Sequence, residues 1–370
     1  MPLIKQTRSP LMSMQILNKA EFSKLAPKQK QTYLTELFQL PQSMQRDLAG
    51  PPIVIEGHTF DVSLQLMLQL TTPLDDKHNE LGSVVENRAM MEAQSPMLSP
   101  PPIKDILTDD FKMAVSDGSQ ITLRRYRHQN AASDNQPALV FYHGGGYVGG
   151  SLNTHDLVCQ HLANDGKCTV IAVDYRRAPE YPHPVPVNDG LTAYRYIANH
   201  ADKFGIDANR LAVGGDSSGG NLAAIVAQQT KSESYAPKLQ LLWVPKVDFS
   251  HERKSHTLFA SGFFLETAKS RWYKQQYLGD DAGDTKLLTD PMVSPIYGDL
   301  QGVAPAVVMV AGFDPLRDEG IEYADKLKAA GVNTTLHIYH SLPHLFLLFS
   351  GVIKEAKAAF DDAVQALKRL

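Results

Sequence analysis

Leu211-Ala212-Val213-Gly214-Gly215-Asp216-Ser217-Ser218-Gly219-Gly220, followed by Asn221-Leu222-Ala223-Ala224-Ile225-Val226-Ala227, decides the fold. An apolar, strand-like run meets a Gly-x-Ser-x-Gly and continues into an Ala-rich segment that reads as a helix. A serine on such a strand-to-helix turn is held in a strained backbone with its hydroxyl pushed outward. Glycines two residues to either side let the turn close without Cβ clashes. The helix that follows aims free N–H groups at any negative charge forming beside the serine. Alone, the pentapeptide is a common loop; between a strand and a helix it makes Ser217 a candidate nucleophile.

An oxyanion hole is expected upstream. Pro137 to Tyr142 is a strand-like run ending in His143-Gly144-Gly145-Gly146-Tyr147. Consecutive glycines allow backbone N–H groups to converge on a small volume that side chains would obstruct. Two of the amides of Gly144, Gly145 and Gly146, with Gly145 and Gly146 the first choice, are expected to act with that of Ser218. His143 reads as a donor locking this loop. The base and its orienting acid should follow in the order serine, carboxylate, histidine. Ala306 to Asp314 is a strand delivering Asp314 at its carboxyl end, and Thr334 to Ser341 is the next, followed by Leu342-Pro343-His344. Open α/β sheets place functional groups at those strand ends. His340 still belongs to the strand, whereas His344 lies beyond it on a loop able to reach the serine. Asp318 and Glu319 read as charges at the start of a helix after Pro315.

Together, His143-Gly-Gly-Gly146, Gly215-Asp-Ser-Ser-Gly219, Asp314-Pro-Leu-Arg-Asp318, His344 and Val173-Asp-Tyr-Arg-Arg-Ala-Pro-Glu180 resemble the hormone-sensitive-lipase-like family of α/β-hydrolase esterases. The resemblance covers roughly residues 55 to 370. It implies a triad of Ser217, Asp314 and His344, helices before the first strand (55–98) and an insertion at 249–303 that form a cap, and a homodimer. Ser218 replaces the commoner Ala, where the expected contact is a backbone amide. Tyr147 replaces a frequent Trp, altering the expected pocket wall, and Leu345 stands where Gly usually follows the histidine.

With 370 residues the chain is long enough for one large domain with a smaller lid. Hydrophobic residues at 43% and charged residues at 21% are ordinary for a globular protein. A net charge of −4 leaves no footprint for nucleic acid or an anionic membrane. No run of about 18 apolar residues suggests a membrane span. The basic start of the chain is not followed by the apolar core of a secretory signal, so a cytoplasmic enzyme is expected. Cys159 and Cys168 are then expected to be reduced and buried. No metal-ligand spacing and no phosphate loop with a following Lys-Ser/Thr is present, so neither metal nor cofactor is expected.

Residues 1–54 precede the family resemblance and form an extension holding two apolar-periodic pieces. Helices are expected at Phe60–Leu70 and Val84–Ala93, and Pro96 to Pro102 reads as a stiff linker. Eight strands follow: 111–115 and 121–127, joined by an Asp117-Gly118 turn, then 138–142, 169–174, 211–215, 239–244, 306–310 and 334–339. Helical stretches at 157–164, 191–204 and 354–370 alternate with them, so the fold class is α/β, a mostly parallel sheet with helices on both faces. The expected function is hydrolysis of short- to medium-chain acyl esters through an acyl-enzyme. Its rate should fall in acid, because an imidazolium cannot serve as base. An amidase or deacetylase on the same triad is the runner-up. A binding module without turnover is the reading from another class, and the presence of Ser217, Asp314 and His344 together argues against it.

Overall fold

The computed structural model describes residues 15–71 and 81–370, so 1–14 and 72–80, parts of the expected extension and cap, lie outside the described residues. Two compact units are present, one ending at Glu80 and the other spanning Leu81–Leu370.

In the first unit, α1 (Lys19–Ser23), α2 (Pro27–Phe38), α3 (Gln42–Ala49) and α4 (Val62–Thr71) accompany a small ribbon of β1 (Val54–Ile55) and β2 (His58–Thr59). Asn18 opens α1 by accepting from the amide of Glu21, whose carboxylate bonds back to the Asn18 amide. Glu56 and Gly57 both take positive φ (52° and 81°), which suits the twist of a two-residue hairpin. The helices bury Phe22, Leu34, Leu37 and Leu64. Gln65, buried on α4, donates to the carbonyls of Ala49 and Pro51, so its burial leaves no donor unmade.

The second unit opens with α5 (Val84–Leu98), started by a Ser83–Glu86 capping box. This helix runs to Leu98, past the expected end at Ala93 and into the stretch taken as a linker. The eight-stranded sheet contains β3 (Ile106–Ala114), β4 (Gln120–His128), β5 (Gln136–Tyr142), β6 (Thr169–Asp174), β7 (Ile206–Asp216), β8 (Leu239–Trp243), β9 (Ala306–Phe313) and β10 (Thr334–Pro343). Its order is β10-β9-β8-β7-β5-β6-β4-β3. Strands β5 to β10 pair in parallel, while β4 lies antiparallel to β3 and β6. The helices of this unit are α6 (Asp156–Gly166), α7 (Val185–Asn199), α8 (Ala201–Phe204), α9 (Ser218–Gln229), α10 (Lys254–Leu258), α11 (Thr267–Leu278), α12 (Thr285–Leu288), α13 (Arg317–Ala329) and α14 (Lys354–Leu367).

Strand β3 begins at Ile106, ahead of the expected 111, and further boundaries differ from expectation for identifiable reasons. The helix expected over 191–204 begins at Val185 and breaks at His200 into α7 and α8. Pro182, Pro184 and Pro186 hide that start, although proline is well tolerated in a first turn. Strand β7 begins at Ile206 rather than Leu211, and the register against β5 shifts after Gln136, where polar Asp207, Asn209 and Arg210 interrupt the apolar run. Both cysteines are free and buried. Among the described residues no helix is long and apolar enough to cross a membrane.

The centre of the sheet is buried on both faces. Ala138 through Tyr142 on β5 are all fully inaccessible, which is why that strand reads as an unbroken apolar run. Leu139→Ala should therefore destabilise the protein by about 2–5 kcal/mol through lost transfer energy and a residual cavity. A urea titration checks this: an unchanged midpoint would show that the site collapses around the deletion.

Candidate active site

Ser217 stands between the end of β7 and the start of α9 with φ 56° and ψ −116°, a backbone conformation that non-glycine residues rarely adopt. Its amide donates to the Trp243 carbonyl at 2.9 Å, and its carbonyl accepts from the amides of Lys246 (3.1 Å) and Asn221 (3.0 Å). A Cβ at either Gly215 or Gly219 would collide with the Tyr142 carbonyl, so both flanking glycines are demanded by close approach to β5.

His344 follows β10. Its Nδ1 lies 2.8 Å from Asp314 Oδ2 and its Nε2 2.9 Å from Ser217 Oγ. Asp314, fully buried just after β9, accepts the Leu316 amide on its other oxygen at 2.9 Å. The order of acceptors places the histidine hydrogen on Nδ1, toward the carboxylate, and leaves Nε2 to accept from the serine. Three residues from three separate strand ends are thus brought into one hydrogen-bonded chain. His340 stays on β10, exposed. Asp318 and Glu319 do lie in the first turn of α13, but Glu319 is completely buried and also accepts the Val247 amide and the Lys246 ammonium.

The glycine loop follows β5. The Gly144 amide donates to Asp216 Oδ1 at 2.9 Å, whereas those of Gly145 and Gly146 take no acceptor among the described residues. At Gly146 (φ 64°) a Cβ would enter the Tyr273 ring on α11, so this aromatic lies directly over the loop. Tyr273 in turn donates its hydroxyl to Asn87 Oδ1 on α5 at 3.1 Å. Tyr147 is fully buried, so it does not form a pocket wall. It stacks on Tyr277 and donates to Asn221 Oδ1, tying the loop to α9.

The sequence reading did not assign Asp216 or His155. His155 Nε2 sits 3.0 Å from Asp216 Oδ1, and both side chains are buried. Burial alone would raise the Asp216 carboxyl, but His155 and the Gly144 amide more than offset it and hold it below the ordinary carboxylate value. Asp216 precedes Ser217 in the chain, a position that hinted at a link to the glycine loop. His155 carries no such signal, since it reads as a residue beside a helix start.

His143 stacks on Tyr175 with ring centroids 4.3 Å apart, and its Nδ1 lies 2.9 Å from the Gly144 carbonyl, to which it donates. Burial, then the neighbouring His155, lowers its pKa to about 3 from the ordinary 6.5. Between those values the unfolded chain binds the extra proton and the native state does not. Stability therefore rises with pH across that window and is lost as pH falls through it. His143→Gln should flatten the dependence of unfolding free energy on pH by about 1.4 kcal/mol per pH unit between about pH 4 and 6. Urea titrations at several pH values read this directly, and equal slopes would remove His143 from the acid response.

A profile of the alpha/beta hydrolase fold family matches residues 139–348. A carboxylic ester hydrolase of Mycobacterium tuberculosis, LipN, is 38% identical over 344 residues, spanning 89% of this chain and 88% of that protein. An ethyl acetate hydrolase of Pseudomonas putida is also 38% identical, over 77% of this chain and 89% of its own. Among solved structures, a hyperthermophilic esterase from Pyrobaculum calidifontis superposes with a TM-score of 0.77 at 33% identity, covering 84% of this chain and 98% of that one. On this match and these relatives, the chain belongs to the hormone-sensitive-lipase-like family of α/β-hydrolase esterases and is an enzyme of the carboxylesterase type.

Proposed function

We propose that the protein hydrolyses short- to medium-chain acyl esters by acyl-enzyme chemistry on Ser217, His344 and Asp314. The observation that carries this reading is the unbroken hydrogen-bonded chain from Asp314 through His344 to Ser217 Oγ at the start of α9. Ser217 Oγ attacks the ester carbonyl carbon as His344 Nε2 takes its proton. Asp314 holds the imidazole in the required tautomer and stabilises the imidazolium that develops. The carbonyl oxygen becomes an oxyanion held by the amides of Gly145, Gly146 and Ser218; the Gly144 amide has no part because Asp216 occupies it. Collapse expels the alcohol, which takes the proton from His344. Water then attacks the acyl-enzyme with His344 again as base, and the acid departs as Ser217 regains its proton.

We read α5 together with residues 249–303 as the cap. The Asn87–Tyr273 hydrogen bond, the Lys269 ammonium donating to the Leu81 carbonyl, and Arg88 donating to the Val148 carbonyl join these pieces to one another and to the glycine loop. The preference for short acyl chains draws on the relative named for hydrolysis of ethyl acetate.

A series of p-nitrophenyl esters of increasing acyl length, run beside Ser217→Ala, tests the reading. Wild type should show burst release and highest turnover with the shorter chains, and the variant should lose roughly 10⁴-fold or more in kcat. Residual burst in Ser217→Ala would sink the assignment. Gly146→Ala, which drives a methyl group into Tyr273, should lower kcat by about 10²–10³-fold if that amide is an oxyanion donor. A change confined to KM would instead make Gly146 a binding position.

A further inference from the structure

Gly145 and Gly146 carry two of the amides proposed to hold the oxyanion, and neither residue has a side chain to fix its own backbone. Gly145 takes φ 123° and Gly146 φ 64°. Two consecutive residues without Cβ leave the peptide between them able to rotate at small steric cost. Its inner side is restrained, because the Gly145 carbonyl accepts the amides of Val148 at 3.1 Å and Gly149 at 2.8 Å. In a trans peptide the N–H points opposite to the C=O, so these two bonds turn the Gly146 amide out of the loop. Rotation of the peptide would break both bonds and reverse that amide.

The outer side is held by side chains of α5 and α11. A Cβ at Gly146 would fall 2.3 Å from Tyr273 Cγ, so the tyrosine occupies the space that a side chain at 146 would fill. At Gly149 a Cβ would fall 2.5 Å from Met91 Sδ and 3.3 Å from Asn87 Oδ1, which sets α5 against the other end of the same turn. The Tyr273 hydroxyl donates to Asn87 Oδ1 at 3.1 Å and closes a clamp over the loop. Asn87 is 3% exposed, and its Nδ2 meets no partner among the described residues. A buried amide with an unmade donor lowers stability, and an apolar residue in the same space would not. Stability therefore does not account for Asn87; what its acceptor supplies is a fixed position for the Tyr273 ring.

We propose that Tyr273, held by Asn87, is a positioning residue for ester hydrolysis that keeps the Gly146 amide turned toward the oxyanion. This role rests on the acyl-enzyme reading, and burst release from p-nitrophenyl acetate by wild type checks that reading first; absence of a burst would overturn both. Tyr273→Phe, Asn87→Ala and the double variant are then compared with wild type for kcat, KM and inhibition by an aryl trifluoromethyl ketone, whose serine adduct carries an oxyanion. Each single variant should lower kcat by roughly tenfold, less than the ~10²–10³-fold cost of removing an oxyanion donor, with KM within about threefold of wild type. Inhibition by the ketone should weaken in proportion to kcat/KM, because both report stabilisation of the oxyanion. Both single variants break the same hydrogen bond, so the double variant should be no slower than either. Thermal unfolding establishes that the variants are folded. With the wild-type burst present, unchanged kcat in both single variants, a loss confined to KM, or losses that multiply in the double variant would each overturn the positioning role and leave the acyl-enzyme reading standing.

Discussion

Ser217 holds a backbone conformation that costs on the order of 1–3 kcal/mol, and the surrounding fold is arranged to over-determine it. Strand β7 is pinned between β5 and β8, so the residue that follows it has little room to relax sideways. The Ser217 amide is taken by β8 through Trp243, and its carbonyl is shared by α9 and the loop after β8. Absent side chains matter as much as present ones: Gly215 and Gly219 both approach the end of β5 too closely for a Cβ. Each of these contacts comes from a different element, which is why the turn cannot be considered apart from the sheet. The strain is local, while its support is distributed over three strands and a helix.

Buried charge is the second recurring device. Asp216 joins the glycine loop to the Ser217 turn through the Gly144 amide, with His155 beside it. Glu319 performs a comparable task on the other side, accepting two successive main-chain amides, Val247 and Asp248, and the Lys246 ammonium. Asp189, also fully buried, receives the Arg176 guanidinium and the Arg176 amide after β6. A carboxylate in such a place is costly to strip of its partners, commonly by 3–5 kcal/mol, so each one commits the loop it holds to a single geometry. The loops that must stay in register at the carboxyl ends of the strands are the ones tied down in this way.

The contacts between α5 and α11 follow a different logic. Tyr273 reaches from α11 over Gly146 and on to Asn87 of α5, so one aromatic side chain covers the glycine loop and links two helices far apart in sequence. Lys269 lies over the Trp272 ring at 4.0 Å and also bonds the Leu81 carbonyl, reinforcing the same seam. Aromatic residues here serve as covers and as connectors.

Elements whose signal is local were legible directly. The strand-to-helix turn at Ser217, the apolar central strands and the hairpin at Asp117-Gly118 depend on neighbours within a few residues, and periodicity or turn chemistry reports them. The order Ser217, Asp314, His344 could be read because each follows a strand-like run, and parallel strands deliver their carboxyl ends to one edge. Other features were decided only by the tertiary structure. The prolines at the start of α7 carry a breaker signal, although a first turn tolerates them. That the Gly144 amide is spent on Asp216, leaving Gly145 and Gly146, depends on a contact across 72 residues of chain. His155 beside Asp216, Glu319 beneath the loop after β8, and Tyr147 buried against Tyr277 likewise bring together residues distant in sequence. Sequence by itself determined which chemical groups are present and the strand ends that carry them. Their hydrogen-bond commitments were settled by the fold, because a donor's availability depends on what lies within about 3 Å of it in space.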